Sequence, residues 1–267
     1  MKNILLLIHD DEGQEARYQA ALDLCRLVNG HLTCVDVTII PEFVGDYVGA
    51  SGVLLAEEQV TEASNKARVI ARLEREDVSF DWIDRTGFVS QTIEDHSGLA
   101  DVIVLSADAD GTLFPHMADV TGDLLVRLGK PVLVVPASAR ALDFYGKALV
   151  AWDGSEDAEA ALQASLPMLG HAETVTLFHV DDGSLRLPIE DAARYLSRHG
   201  IEPVIKQQPV DFERPGTVIL AEAEAGHFDY VVMGAYSRSR AVETIFGGAT
   251  RTMLKRSSVP VLLAHRR

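Results

Sequence analysis

The 267-residue chain reads as an α/β protein made of two tandem five-stranded parallel-sheet units, and three features predict this. Short apolar runs alternate with helical patterns from end to end, as βαβ units require. The runs VIVL, VLVV and YVVM lack any polar alternate, as strands covered on both faces of a parallel sheet do. The chain also repeats itself: NILLLIHDDE answers to KALVAWDGSEDA, LADVIVLSADAD to HFDYVVMGAYSR, and GKPVLVVPA to SVPVLLAHR.

Taken in order, the first half opens on a strand near 2–9, where ILLLI runs into acids, followed by a helix near 13–29 and a strand near 31–37. A long helical pattern near 53–76 leads to a strand near 79–84, a helix near 88–98, a strand near 101–106, a helix near 118–129 and a strand near 131–135. The second half repeats the series with strands near 147–152, 173–180, 202–207, 229–233 and 259–264. Its helices fall near 156–169, 188–199, 215–226 and 247–257. The boundary lies in PASARALDFYG, Pro136 to Gly146, giving domains at 1–138 and 145–267. The halves differ after their second strand, where Thr38 to Gly52 has only the short DDGSLRLP opposite it; such a segment serves as a lid or as a packing arm.

Bulk properties narrow the function. With 47% apolar and 24% charged residues the chain can build a packed core. A formal net charge of -16 repels nucleic-acid backbones and anionic membrane surfaces, so any phosphate has to be held by a local device. No apolar run approaches the roughly 20 residues that span a bilayer, and the start is unlike a signal peptide, so the cytoplasm is the expected location. Cys25 and Cys34 lack CxxC spacing and read as reduced packing residues.

The stretch that bears on function is MGAYSRSRAVETIFGGAT, Met233 to Thr250. Ligands of open parallel sheets sit beyond the carboxyl ends of the strands, where this stretch begins. Gly234 follows the fourth strand of its half, leaving room for whatever approaches, and Gly247 and Gly248 precede a helix whose first amides are free and whose dipole is positive there. Thr250 adds a hydroxyl, and Arg238, Arg240 and Arg251 add local positive charge. Two readings stand: a cradle for a phosphate, or glycine punctuation between strand and helix.

The corresponding stretch of the first half lacks glycine at the matching places. Ser106 stands where the first would be, and Asp108, Asp110, Asp119 and Asp123 crowd a helix start that they satisfy themselves while repelling phosphate. His9, Asp10, Asp11 and Glu12 add charge to the same edge. A metal site from His9, Asp10, Asp108, Asp110 and His116 competes with the plainer reading of caps and solvated loops; the latter fits the absence of ligand spacing, and no metal is expected. One nucleotide site per chain follows.

No Walker, GxSxG or HExxH motif is present. His179 reads as a strand residue with a satisfied ring rather than a base, and Asp153 to Ser155 as a turn and N-cap ahead of Glu156 and Asp157. No catalytic residues are expected, and at most slow ATP hydrolysis.

The arrangement resembles the universal stress protein family. Its ATP-binding members carry G-x2-G-x9-G-[S/T] after the fourth strand; here Gly234 is followed by Ser237, nine residues, Gly247 and Gly248, so the spacing is kept while Ser237 replaces a glycine and Gly248 the Ser/Thr. VAWDGSEDAEAAL and LFHVDD resemble the family's first and second strands. The resemblance covers both halves and implies a Rossmann-like fold of the adenine nucleotide alpha hydrolase type, in tandem, the first copy degenerate. It implies an ATP-binding regulatory protein of the stress response, with or without Mg2+. Ala151, Trp152, Asp153 and Val180 would meet adenine and ribose, and Met233, Gly234, Ser237, Gly247, Gly248, Ala249 and Thr250 the phosphates. The two departures imply weakened binding. It further implies that the halves pair through their last strands as a pseudo-dimer, KPVLVVP against VPVLLAH, with a homodimer of chains and a protein partner left open. The other reading is an interaction module of the same fold that has lost its nucleotide and acts through its surfaces.

Overall fold

The computed structural model describes residues 1–40, 48–106, 117–140, 142–181, 183, 185–209, 213–235 and 248–266, with the backbone alone for 48–51. The first half of the chain contains β1 (Asn3–Ile8), α1 (Gln14–Val28), β2 (His31–Ile39), α2 (Val48–Leu73), β3 (Ser79–Gly87), α3 (Val89–His96), β4 (Val102–Leu105), α4 (Met117–Leu128) and β5 (Val132–Val134). The second contains β6 (Lys147–Ala151), α5 (Glu156–Leu169), β7 (Thr174–Asp181), α6 (Ile189–Arg198), β8 (Val204–Pro209), α7 (Pro215–Ala225), β9 (Tyr230–Gly234), α8 (Gly248–Arg256) and β10 (Val261–Ala264). Each expected element is present, with ends shifted by a few residues.

The strands form one 10-stranded mixed sheet in the order β3-β2-β1-β4-β5-β10-β9-β6-β7-β8. Pairs from β1 to β5 are parallel, and so are pairs from β6 to β10. The antiparallel pair is β5 with β10, which sets Val134 opposite Val261, Leu133 opposite Leu262 and Val132 opposite Leu263. KPVLVVP and VPVLLAH therefore meet as the family resemblance implies, and two short apolar strands that would be open edges cover each other.

Alternation along the strands divides the core between the two faces. Ile4, Leu6 and Ile8 of β1 pack with buried residues of α1, α2, α5 and α6. Leu5 and Leu7 pack on the other side with α3, α4, α7 and α8. Both faces being covered, a polar residue in the central strands would be stranded, which accounts for their unbroken apolar runs.

Local signals fix the helices that frame the candidate site. Ser155 caps α5, its Oγ accepting the Ala158 N–H at 3.1 Å, and Glu156 and Asp157 sit in the positive first turn. α2 departs from the usual apolar stripe: its buried side chains are Glu62, Asn65, Val69 and Leu73, spaced to share one face, and half of them are polar. Cys25 and Cys34 are buried and free, as packing residues are. Among the described residues no helix is long and apolar enough to cross a membrane.

Candidate functional site

Parallel pairing brings the carboxyl ends of β6, β7 and β9 to one side of the sheet. Register sets Ala151 level with both Phe178 and Met233. Ala151, Trp152, Asp153, Val180, Met233 and Gly234 therefore gather at that end. Ala151, Trp152, Val180 and Met233 are buried there, while Asp153 is partly exposed.

The turn after β6 is tightly built. Asp153 Oδ1 accepts the Ser155 N–H at 3.0 Å. Gly154 has φ +69, and a side chain on it would run into the Leu187 backbone, so glycine is required on both counts. The Trp152 indole N–H donates to the Leu187 carbonyl at 3.0 Å. The Trp152 carbonyl accepts from His179 Nδ1 at 2.8 Å, and since a carbonyl only accepts, that nitrogen carries the proton. His179 is thus a satisfied strand residue, as its sequence context indicates.

At Gly234 the missing side chain leaves room for protein: a Cβ there would lie 2.5 Å from the Ala158 nitrogen and 2.7 Å from the Asp157 carbonyl carbon. The start of α5 occupies that space. In the first half the exchange is reversed, with Ser106 at the strand end and glycine on the helix side, where a Cβ on Gly13 would lie 2.6 Å from Ser106 Oγ.

Of the proposed phosphate-lining residues, Ser237 and Gly247 lie outside the described residues, as do Arg238 and Arg240. Gly248 is the first residue of α8 and is exposed, whereas Thr250 is buried. Ala249 leans on α7, its Cα lying 2.6 Å from where a Cβ on Gly216 would be. Sequence reasoning placed Asp157 in the first turn of α5 but missed what it holds. Its Oδ1 accepts the Arg266 N–H at 2.8 Å and stands 2.9 Å from His265 Nδ1, tying α5 to the residues after β10. The signal available was an acid in a first helical turn and a histidine after the last strand, both commonplace.

The equivalent end of the first half is filled by buried polar side chains. Arg17 of α1 is 0% exposed. Its guanidinium donates to the carbonyls of Leu7 and His9 at 2.9 Å each, to both Asp11 oxygens at 2.7 and 2.8 Å, and to Ser106 Oγ at 3.2 Å. Beside it, His9 Nδ1 lies 2.7 Å from Glu62 Oε1 and 3.6 Å from Glu58 Oε1. Burial alone would lower the His9 pKa, but Glu62, Asp11 and Glu58 outweigh it and hold the imidazole above its ordinary value. Burial would likewise raise Glu62, yet His9, the Asp10 N–H and Asn65 keep it below the usual carboxylate range. Asp36 of β2 is pushed up to about 8, by burial first and then by the charges of Glu62 and Asp84. Asp108, Asp110 and His116, the other members of the metal set weighed from sequence, lie outside the described residues; Asp119 sits in the first turn of α4.

Fold and site end together define a universal-stress-protein-like α/β domain: residues 144–265 match the model of the Universal stress protein family. Beyond that segment, the chain is 25% identical over 293 aligned positions to Universal stress protein Slr1230 of Synechocystis sp. (strain ATCC 27184 / PCC 6803 / Kazusa), covering 98% of this chain and 99% of that protein. It also superposes on the crystal structure of a universal stress protein from Archaeoglobus fulgidus DSM 4304 with a TM-score of 0.76 at 19% identity, covering 99% of this chain and 98% of the other. A structure from Pseudomonas aeruginosa UCBPP-PA14 described as a universal stress protein gives 0.59 at 18% identity, with 99% and 93% covered. These structural likenesses carry the fold across the full length.

Proposed function

We propose that the chain is a tandem universal stress protein, with a degenerate domain at 1–138 and a nucleotide-binding domain at 145–267, and that it works as an ATP-responsive regulatory protein of the cytoplasm. The β5–β10 seam is then an internal pseudo-dimer contact. One contrast carries the reading: the two halves present the same strand ends, but a buried guanidinium and an acid cluster fill those of the first. Those of the second are lined by Trp152, His179 and Val180 and face a helix that begins at an exposed Gly248. Adenine and ribose sit against Ala151, Trp152, Asp153 and Val180. The phosphates sit at the first turn of α8 with Gly248, Ala249 and Thr250, whose amides and dipole favour an anion in a chain of net charge -16. Met233 and Gly234 close that end beneath the phosphates, and the bare Gly234 also gives the start of α5 its room. Ser237 and Gly247 complete the family spacing. Mg2+ accompanies the triphosphate if at all, and no side chain is assigned a catalytic role.

Equilibrium titration of purified protein with labelled ATP tests the reading. Saturable binding is the expected outcome; none at millimolar ATP rejects it. Adenine nucleotide released on denaturation would support the same conclusion. A nucleotide-free protein that still engages a protein partner would favour the interaction-module reading.

A further inference from the structure

His9, Glu58 and Glu62 form a second constellation, remote in role from the proposed nucleotide end. His9 follows β1, and the two glutamates lie one turn apart on α2, so that both face the end of β1. One donor atom from each residue lies within 4.8 Å of the other two. The cluster is interior, with side-chain exposures of 7% for His9, 12% for Glu58 and 2% for Glu62.

Proton-mediated bonding does not satisfy this group. A proton on His9 Nδ1 is contested by Glu62 Oε1 at 2.7 Å and the Val37 carbonyl at 3.1 Å. Glu58 Oε1 faces the same nitrogen from 3.6 Å, beyond hydrogen-bond range, and is buried without a hydrogen-bond partner. Asp36 is 2% exposed, its carboxyl lies against that of Glu62, and its Oδ1 is also without a hydrogen-bond partner. Native folds rarely leave such oxygens unmet. Glu58 and Glu62 both turn a carboxylate oxygen toward one imidazole nitrogen, and a single proton there cannot serve both, whereas a metal cation can.

We propose that His9, Glu58 and Glu62 hold one divalent transition-metal ion of the zinc or manganese class, with Asp36 as the adjoining carboxyl. The ion takes the place of the shared proton and serves Nδ1 and both Oε1 atoms together. Ligands about 2.1 Å from a tetrahedral ion stand about 3.4 Å apart, so the His9–Glu58 separation already fits and the His9–Glu62 pair opens by a small rotation. A neutral imidazole and two carboxylates balance the dication's charge. An imidazole nitrogen in the set favours zinc or manganese over calcium or magnesium. The outer contacts suit such a role. Glu62 is oriented by the Asp10 N–H at 2.8 Å and by Asn65 Nδ2 at 3.0 Å. Asn65 exchanges amide bonds of 2.8 Å with Gln14, and Arg68 donates to Asp10 at 2.7 Å and to Asn65 at 2.8 Å. Bound metal pins the polar stripe of α2 to the sheet, which explains why that stripe is buried without being apolar.

The test is calorimetric titration of the metal-stripped full chain with Zn2+ and with Mn2+, followed by anomalous diffraction at the zinc edge. One ion per chain is expected, with anomalous density between His9 Nδ1 and the two glutamates and a raised thermal midpoint. Glu58→Gln, at the rim of the cluster, and His9→Asn should each weaken binding by at least about tenfold. Urea unfolding of both variants without metal checks that they fold, and the wild-type density stands whatever the variants do. No saturable binding of either ion, anomalous density elsewhere on the chain, or undiminished affinity in both folded variants would overturn the proposal.

Discussion

Gly234→Ala separates a packing role from a ligand-approach role at the end of β9. The added methyl would sit 2.5 Å from the Ala158 nitrogen and 2.7 Å from the Asp157 carbonyl carbon, against an ordinary contact of 3.4 Å or more. Both neighbours are backbone atoms of the first turn of α5, so no rotamer change relieves the overlap and the helix start has to move. Overpacking of that kind costs about 1–3 kcal/mol. The same shift pulls the Ala158 N–H from its Ser155 cap, now 3.1 Å long, for about 1 kcal/mol more. The expected loss is therefore about 2–4 kcal/mol, a fall of about 4–16 °C in thermal midpoint at about 2–4 °C per kcal/mol for a chain of this size. Urea unfolding followed by circular dichroism measures it. Gly248→Ala is the internal control, because a Cβ there meets no atom of the described residues within 4 Å, and it should stay within about 1 kcal/mol of wild type. A Gly234→Ala protein of unchanged stability that loses only ATP affinity would refute the packing argument and restore the ligand-approach role.

Arg17→Met removes five hydrogen bonds from a fully buried guanidinium and leaves Asp11 facing the core edge, so about 3–5 kcal/mol should be lost in urea unfolding, with partial recovery when Asp11→Asn is added. A loss below about 1 kcal/mol would contradict the description of that corner. Glu15 is held down to about 2 by its hydrogen bonds from Arg72, so its contribution is present above its unfolded value of 4.5 and disappears as pH falls through about 2. The pair is largely exposed, which limits that contribution to about 0.2–1 kcal/mol. The stability difference between wild type and Glu15→Gln should accordingly vanish on acidification; a difference that persists at pH 2 would assign it to packing.

Strand positions were legible because burial on both faces writes itself into VIVL, VLVV and YVVM with no competing signal. The β5–β10 seam was expected from the family resemblance, and its pairing covers two short apolar edges that would otherwise lie open. Side chains that act across the fold were not legible. Arg17 lies on a helix where arginine ordinarily faces water, and its burial follows only once Leu7, Asp11 and Ser106 are brought around it. Glu58 and Glu62 belong to no motif in the sequence, and only the placement of α2 brings them against His9. For Gly234, sequence showed that a side chain was unwelcome but not which neighbour excluded it. The family-like spacing at Ser237 and Gly247 falls outside the described residues, so sequence still carries that part of the site.

A crystal structure with a bound, slowly hydrolysed ATP analogue bears most directly on the account. One nucleotide per chain is predicted, its base beside Asp153 and Val180 and its phosphates on the first turn of α8. Density beside Arg17 in the first half, or a second-half strand end closed by the protein's own atoms, would contradict it.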